Sequence, residues 1–157
     1  MTKKILIVDD EAVAIAAMKK LTSQIGDTYI ATTGQAALAM TYDINPDIIL
    51  LDLGLPDFDG FDVISSLKSD EKYFHIPIIV ITASSDRESH LRVIRSGADD
   101  FLSKPFDYKL LESRINALLE RQERLVIPAI NARENDFESK FANVLGMLSE
   151  AVIVSDN

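Results

Sequence analysis

Four short apolar runs, three of them rich in β-branched residues, each lead into a side chain that can do chemistry. Ile5-Leu6-Ile7-Val8 leads into Asp9-Asp10, and Ile48-Ile49-Leu50-Leu51 into Asp52. Ile78-Ile79-Val80-Ile81 leads into Thr82, and Phe101-Leu102 leads through Ser103 to Lys104-Pro105. Runs of this length without polar alternation fit strands covered on both faces, as in a parallel sheet. A parallel sheet ends all its strands on one side, so the polar residues gather at one edge.

The remaining segments alternate with these runs. Strands are predicted over Lys4–Val8, Thr28–Thr32, Ile48–Leu51, Ile78–Ile81 and Asp100–Leu102. Helices are predicted over Glu11–Ile25, Gly34–Tyr42, Phe61–Ser69 and Asp86–Ser96. A fifth helix starts from an Asp107 N-cap and reaches about Gln122. Asn45-Pro46 closes the second helix and Gly97 the fourth. Leu53–Gly60 holds Gly54, Pro56, Asp57 and Gly60, a loop composition. Repeated β-α units define an α/β fold with helices on both faces of the sheet. Right-handed crossovers point to a doubly wound five-stranded parallel sheet in the order 2-1-3-4-5, flavodoxin-like, with a C-terminal helical extension. Ligands in such sheets sit where the strand order reverses, here between the first and third strands. Those strands end in Asp9-Asp10 and Asp52.

Composition narrows the chemistry. A chain of 157 residues holds one packed domain plus an appendage. The net charge of -9 argues against nonspecific affinity for nucleic acid. No apolar stretch approaches the ~20 residues of a membrane span, and the start is too short and too soon acidic for a signal peptide. A cytoplasmic location is therefore expected. The chain has no cysteine, which excludes disulfides and thiolate metal sites. Three carboxylates in one cleft repel, by roughly 3 kcal/mol per pair at ~5 Å and an effective dielectric of 20. Protonation or a cation must relieve this, and all-oxygen donors favour Mg²⁺. An aspartate, Mg²⁺, a hydroxyl and a lysine suit phosphoryl transfer to a carboxylate. Asp57, Asp59 and Asp62 read as loop and helix-start acids. His75 and His90 read as surface residues without partners at metal spacing.

The ordered pieces Ile-Val-Asp-Asp-Glu (7–11), Leu-Asp-Leu-Gly-Leu-Pro-Asp-Phe-Asp-Gly (51–60), Ile-Thr-Ala (81–83) and Gly-Ala-Asp-Asp-Phe-Leu-Ser-Lys-Pro-Phe (97–106) resemble the receiver domain of two-component response regulators. The resemblance spans about Lys3 to Arg121. It implies that Asp52 is the phosphoacceptor. It also implies that Asp10 binds Mg²⁺ directly, Asp9 directly or through water, and the Gly54 carbonyl completes the protein ligands. Thr82 would hydrogen-bond the phosphoryl group, Lys104 would pair with it, and Phe101 would be the switch aromatic. The Lys104-Pro105 peptide would be cis. Gly54 and Ser84, each two residues past a site residue, suggest an open site. The implied function is a phosphorylation-dependent switch, charged by a sensor histidine kinase or phosphotransfer protein. It would reshape the surface of the fourth helix, fifth strand and fifth helix to control an output module. The resemblance implies no enzyme beyond self-catalysed phosphotransfer and dephosphorylation. A homodimer through that surface or the C-terminal helices, no direct nucleic acid binding and no membrane contact complete the expectation.

Residues 1–122 form the expected receiver domain and 123–135 a linker, in which Pro128 should interrupt any continuous helix. Phe137, Phe141, Val144, Leu145 and Leu148 follow helical spacing, and Ala151–Ser155 looks like a strand. Residues 136–157 thus resemble the start of a PAS domain. Two other functions compete. A haloacid-dehalogenase-type phosphatase also uses Mg²⁺ and an aspartyl phosphate, but wants Asp-x-Asp after the first strand, where this chain has Glu11 third. A flavodoxin-like cofactor protein wants a Ser/Thr/Gly-rich phosphate loop, where this chain has Asp9-Asp10-Glu11.

Overall fold

The computed structural model describes residues 2–83 and 87–134, with side chains in the last helix described to Gln122. The strands are β1 (Lys3–Val8), β2 (Gly26–Ala31), β3 (Ile48–Leu51), β4 (Ile78–Thr82) and β5 (Asp100–Ser103). The helices are α1 (Ala12–Thr22), α2 (Gly34–Ile44), α3 (Gly60–Lys68), α4 (Arg87–Ser96) and α5 (Tyr108–Glu134). All strands pair in parallel, in the order β2-β1-β3-β4-β5, as the sequence predicts. The chain divides into two compact units, residues 1–118 and 119–157. The first holds the whole sheet. Of the second, the structure describes α5 as far as Glu134.

Handed crossovers decide which helix covers which face. The β1-to-β2 step moves one way across the sheet, and the later steps move the other way. Right-handed connections then put α1 on one face and α2, α3 and α4 on the opposite one. The core follows this division. Leu6, Val8, Ile49, Leu51, Ile78 and Val80 pack with Ala37, Val63, Ile64, Leu67 and Val93. Alternation along the strands turns Ile5, Ile7, Ile48, Leu50, Ile79 and Ile81 to the other face, and these are buried too. Ala17 and Leu21 of α1 share a groove with Tyr108 of α5, which places both helices on that face.

Helix boundaries follow local chemistry. Thr33 caps α2 by accepting from the Ala36 N–H at 3.0 Å. Asn45, at φ 53°, ends that helix two residues later than predicted, with Pro46 beyond it. Gly60, Val63, Ile64 and Leu67 form the buried stripe of α3. Asp107 does cap α5, accepting from the Lys109 N–H at 2.8 Å.

Several boundary expectations need correction. Helix α1 stops at Thr22 rather than Ile25, and β2 spans Gly26–Ala31 rather than Thr28–Thr32. Register explains both: β2 enters the sheet when Gly26 comes opposite Lys3, where a Cβ would collide with the Lys3 carbonyl. Strands β4 and β5 each run one residue further, because Thr82 and Ser103 still pair. Helix α5 continues past Pro128. A proline deletes one backbone donor, at a cost of about 3 kcal/mol in a helix interior. The leucine, alanine, arginine and glutamate around it favour continuing the helix. Asp86 and residues 136–157 lie outside the described residues.

The β3–α3 loop is latched to the start of α2. The Asp57 carboxylate accepts from the N–H groups of Gly34 (2.7 Å), Gln35 (3.0 Å) and Phe58 (2.8 Å). These bonds, led by that from Gln35, hold the Asp57 carboxyl below its ordinary value. A depressed carboxyl stabilises the fold fully above its unfolded value, and that contribution fades as pH falls through the folded value. Asp57→Asn is predicted to lower the urea midpoint at neutral pH, with the gap to wild type closing below the usual carboxylate range. A gap independent of pH contradicts the latch.

Candidate functional site

Main-chain hydrogen bonds fix where β1 and β3 release their acids. Val8 and Leu51 are the last partners of that pair. The Asp52 N–H then donates to the Val8 carbonyl at 2.8 Å, and the Asp9 N–H donates to the Ala31 carbonyl at 3.1 Å. Asp9 and Asp52 therefore leave neighbouring strands at the same level, with Asp10 next to them. One carboxylate oxygen from each of Asp9, Asp10 and Asp52 lies within 4.8 Å of the others. Asp9 is 0% exposed and Asp52 9%, while Asp10 faces solvent.

Lys104 reaches the same cleft from the far side of the sheet. Its N–H donates to the Thr82 carbonyl at 2.8 Å, which extends the β4–β5 ladder. Its ammonium nitrogen lies 2.8 Å from Asp9 Oδ2, 3.0 Å from Glu11 Oε1 and 3.6 Å from Asp52 Oδ2. Thr82 is buried at the end of β4. Gly54 enters through its backbone: its N–H bonds the Asp52 carboxylate, and it bridges to Asp59. The Lys104-Pro105 peptide is cis. Phe101 sits one strand further out, half-buried against the core. Ser84 lies outside the described residues.

The fields in this cleft oppose one another. Burial pushes the Asp52 carboxyl up, the Lys104 charge pulls it down, the charges of Asp9 and Asp10 push it up again, and the Gly54 N–H pulls it down. Elevation wins. Burial alone would lower the Lys104 ammonium, but its bonds to Asp9 and Glu11 and the Asp52 charge hold it above its usual value.

Three residues do more than sequence reasoning foresaw. Glu11 holds Lys104, a contact between residues 93 positions apart. Asp57 latches the loop that carries Gly54. His90 is no simple surface residue: its ring lies 4.2 Å from that of Phe101, and its Nε2 is buried without a hydrogen-bond partner. Only its spacing of three from Val93, the buried residue of α4, hinted that His90 lies toward the inner side of that helix. His75 is exposed, as expected.

Three acids and a lysine at the switch point of a doubly wound sheet define a class of α/β modules with an acidic cleft at the carboxyl edge of the strands. Residues 5–116 match the response regulator receiver domain, and the chain belongs to that family. Response regulator PleD of Caulobacter vibrioides is 37% identical over 164 aligned positions, covering 100% of this chain and 36% of PleD. The DNA-binding dual master transcriptional regulator RpaA of Synechocystis is 37% identical over 124 positions, covering 78% of this chain and 51% of RpaA. The BeF3-activated receiver domain of DrrB superposes with a TM-score of 0.70 at 30% identity, covering 76% of this chain and 99% of that one. The chain spans about a third to a half of the length of PleD and RpaA.

Family members are regulatory domains, and the phosphatase alternative gains no support from the match. The PAS-like reading of 136–157 gains none either, since the family match ends at residue 116. RpaA narrows the expectation about nucleic acid, because a relative that matches this chain over its receiver is itself DNA-binding. No helix among the described residues is long and apolar enough to cross a membrane.

An acid with a raised folded value opposes folding when ionised. The penalty is full at neutral pH and disappears as pH falls through the folded value to the unfolded one. Asp52→Asn is predicted to raise the melting temperature by a few degrees at neutral pH in chelator, the gain shrinking in acid. A melting temperature below wild type at neutral pH contradicts the assigned field.

Proposed function

We propose that this chain is a phosphorylation-driven switch in which Asp52 accepts a phosphoryl group from a phosphohistidine. The donor would be a sensor histidine kinase or a phosphotransfer protein. The convergence of Asp9, Asp10 and Asp52 with Lys104 carries this reading. An Asp52 oxygen attacks phosphorus in line with the phosphorus–nitrogen bond. That bond breaks, and its electron pair returns to the histidine ring.

The donor set fits Mg²⁺: carboxylates and a carbonyl, with no sulfur or imidazole in the group. Asp10, Asp52 and the Gly54 carbonyl would hold the ion. Asp9 would act directly or through water, since its oxygens already accept from the Glu11 N–H and the Lys104 ammonium. When bound, Mg²⁺ would neutralise charge that spreads over the transferring oxygens. Lys104 would neutralise the same charge, and the Thr82 hydroxyl would donate to a phosphoryl oxygen.

Phosphorylation replaces a charge of about -1 with one nearer -2 and adds acceptor oxygens. Thr82 moves toward them, and Phe101 turns inward to fill the vacated space. The α4–β5–α5 surface changes shape as the population shifts between two states. That surface, or the C-terminal helices, would join two copies, and an output module linked to this chain would read the change. The protein would act in the cytoplasm.

Intact mass after incubation with acetyl phosphate and Mg²⁺ tests the assignment. Wild type should gain one phosphoryl group and Asp52→Asn none. An adduct retained in Asp52→Asn overturns the role of Asp52.

A further inference from the structure

We propose that Glu11 is a positioning residue that parks the Lys104 ammonium off Asp52 until the phosphoryl group arrives. The inference rests on reading Asp52 as phosphoacceptor. An ammonium has three N–H donors. Asp9 takes one at 2.8 Å and Glu11 another at 3.0 Å, while Asp52, at 3.6 Å, lies beyond hydrogen-bond distance. Asp52 thus keeps an ion pair with Lys104 but accepts no hydrogen bond from it.

The backbone around Glu11 explains how it reaches Lys104. Glu11 occupies the N-cap of α1, yet its side chain makes no capping bond. Glutamate is a poor N-cap beside serine, threonine, aspartate and asparagine. The Glu11 N–H donates to Asp9 Oδ1 at 3.0 Å, which closes a three-residue ring of Asp9, Glu11 and Lys104.

The two partners of Lys104 differ in permanence. The Asp9 side chain is 0% exposed and that of Glu11 is 64% exposed. Exposed ion pairs are weak and buried ones costly to break. Glu11 is therefore the partner that lets go. A phosphoryl group on Asp52 draws the ammonium inward and repels the Glu11 carboxylate, so release follows the change in charge.

Removing the Glu11 charge has two opposite consequences. Lys104 settles on Asp9 and Asp52, where it competes with a divalent cation. Once Mg²⁺ saturates the site, the freed ammonium reaches the transferring oxygens sooner, and an anionic donor meets one less negative charge. Loss of local structure would weaken both functions together.

The test compares wild type, Glu11→Gln and Glu11→Asp at low ionic strength. Mg²⁺ affinity is read by calorimetry, and adduct formation from acetyl phosphate at saturating Mg²⁺ is read by intact mass. Glu11→Gln should raise the Mg²⁺ Kd and the saturating rate, each by about two- to fivefold, the range an exposed ion pair spans. Glu11→Asp keeps the charge but is one methylene shorter, and should raise the saturating rate as well. Glu11→Gln values equal to wild type, or a rate that falls as Kd rises, overturn the proposal. So does a Glu11→Asp rate equal to wild type, which would leave net charge as the cause. Wild type without any adduct instead sinks the reading of Asp52 itself.

Discussion

The ion pair between Asp9 and Lys104 is the interaction on which the site depends. Asp9 is fully buried, and an unpaired carboxylate there would carry a desolvation penalty of several kcal/mol. Lys104 removes that penalty from 95 residues away, so the end of β1 and the segment after β5 are fixed together. The same ammonium tempers repulsion among three acids that the β1–β3 register forces into one cleft. Without it, burial and like charge would both act against an ionised Asp52. The cleft thus gathers a group of acids that could hold a metal ion around one resident cation, Lys104.

Much of this was legible in the sequence because buried parallel strands announce themselves. Ile48–Leu51 was located to the residue, since four consecutive branched apolar side chains between polar neighbours fit little except a strand covered on both faces. Asp9, Asp10, Asp52 and Lys104 followed, because each comes directly after such a run or a residue beyond it. Strand β2 was less clear: an edge strand with mixed residues lacks the buried signature, and its start depends on Gly26 fitting against Lys3. Helix α5 passed Pro128 because one missing donor shapes a helix without always ending it.

What stayed hidden were side-chain partnerships across long separations. Nothing local marks Glu11 as the second holder of Lys104; the nearest sign is a glutamate at a helix start where a shorter capping residue is favoured. Asp57 read as a turn acid, yet it binds a segment 22 to 23 residues earlier in the chain. His90 read as exposed because a lone histidine on a polar helix usually is, while Phe101 supplies the packing surface that draws it in. These contacts arise only when the sheet order brings distant segments together.

If the three acids joined by folding hold one divalent ion beside Lys104, its footprint must fall on the segments that carry them. Amide NMR of the full chain during a Mg²⁺ titration, with Mn²⁺ broadening as the distance probe, tests it most directly. One saturable set of shifts is expected, centred on residues 9–11, 52–54 and 104, with Mn²⁺ erasing the same signals first. Scattered, unsaturable shifts, or Mn²⁺ broadening centred on another acidic surface, would contradict it.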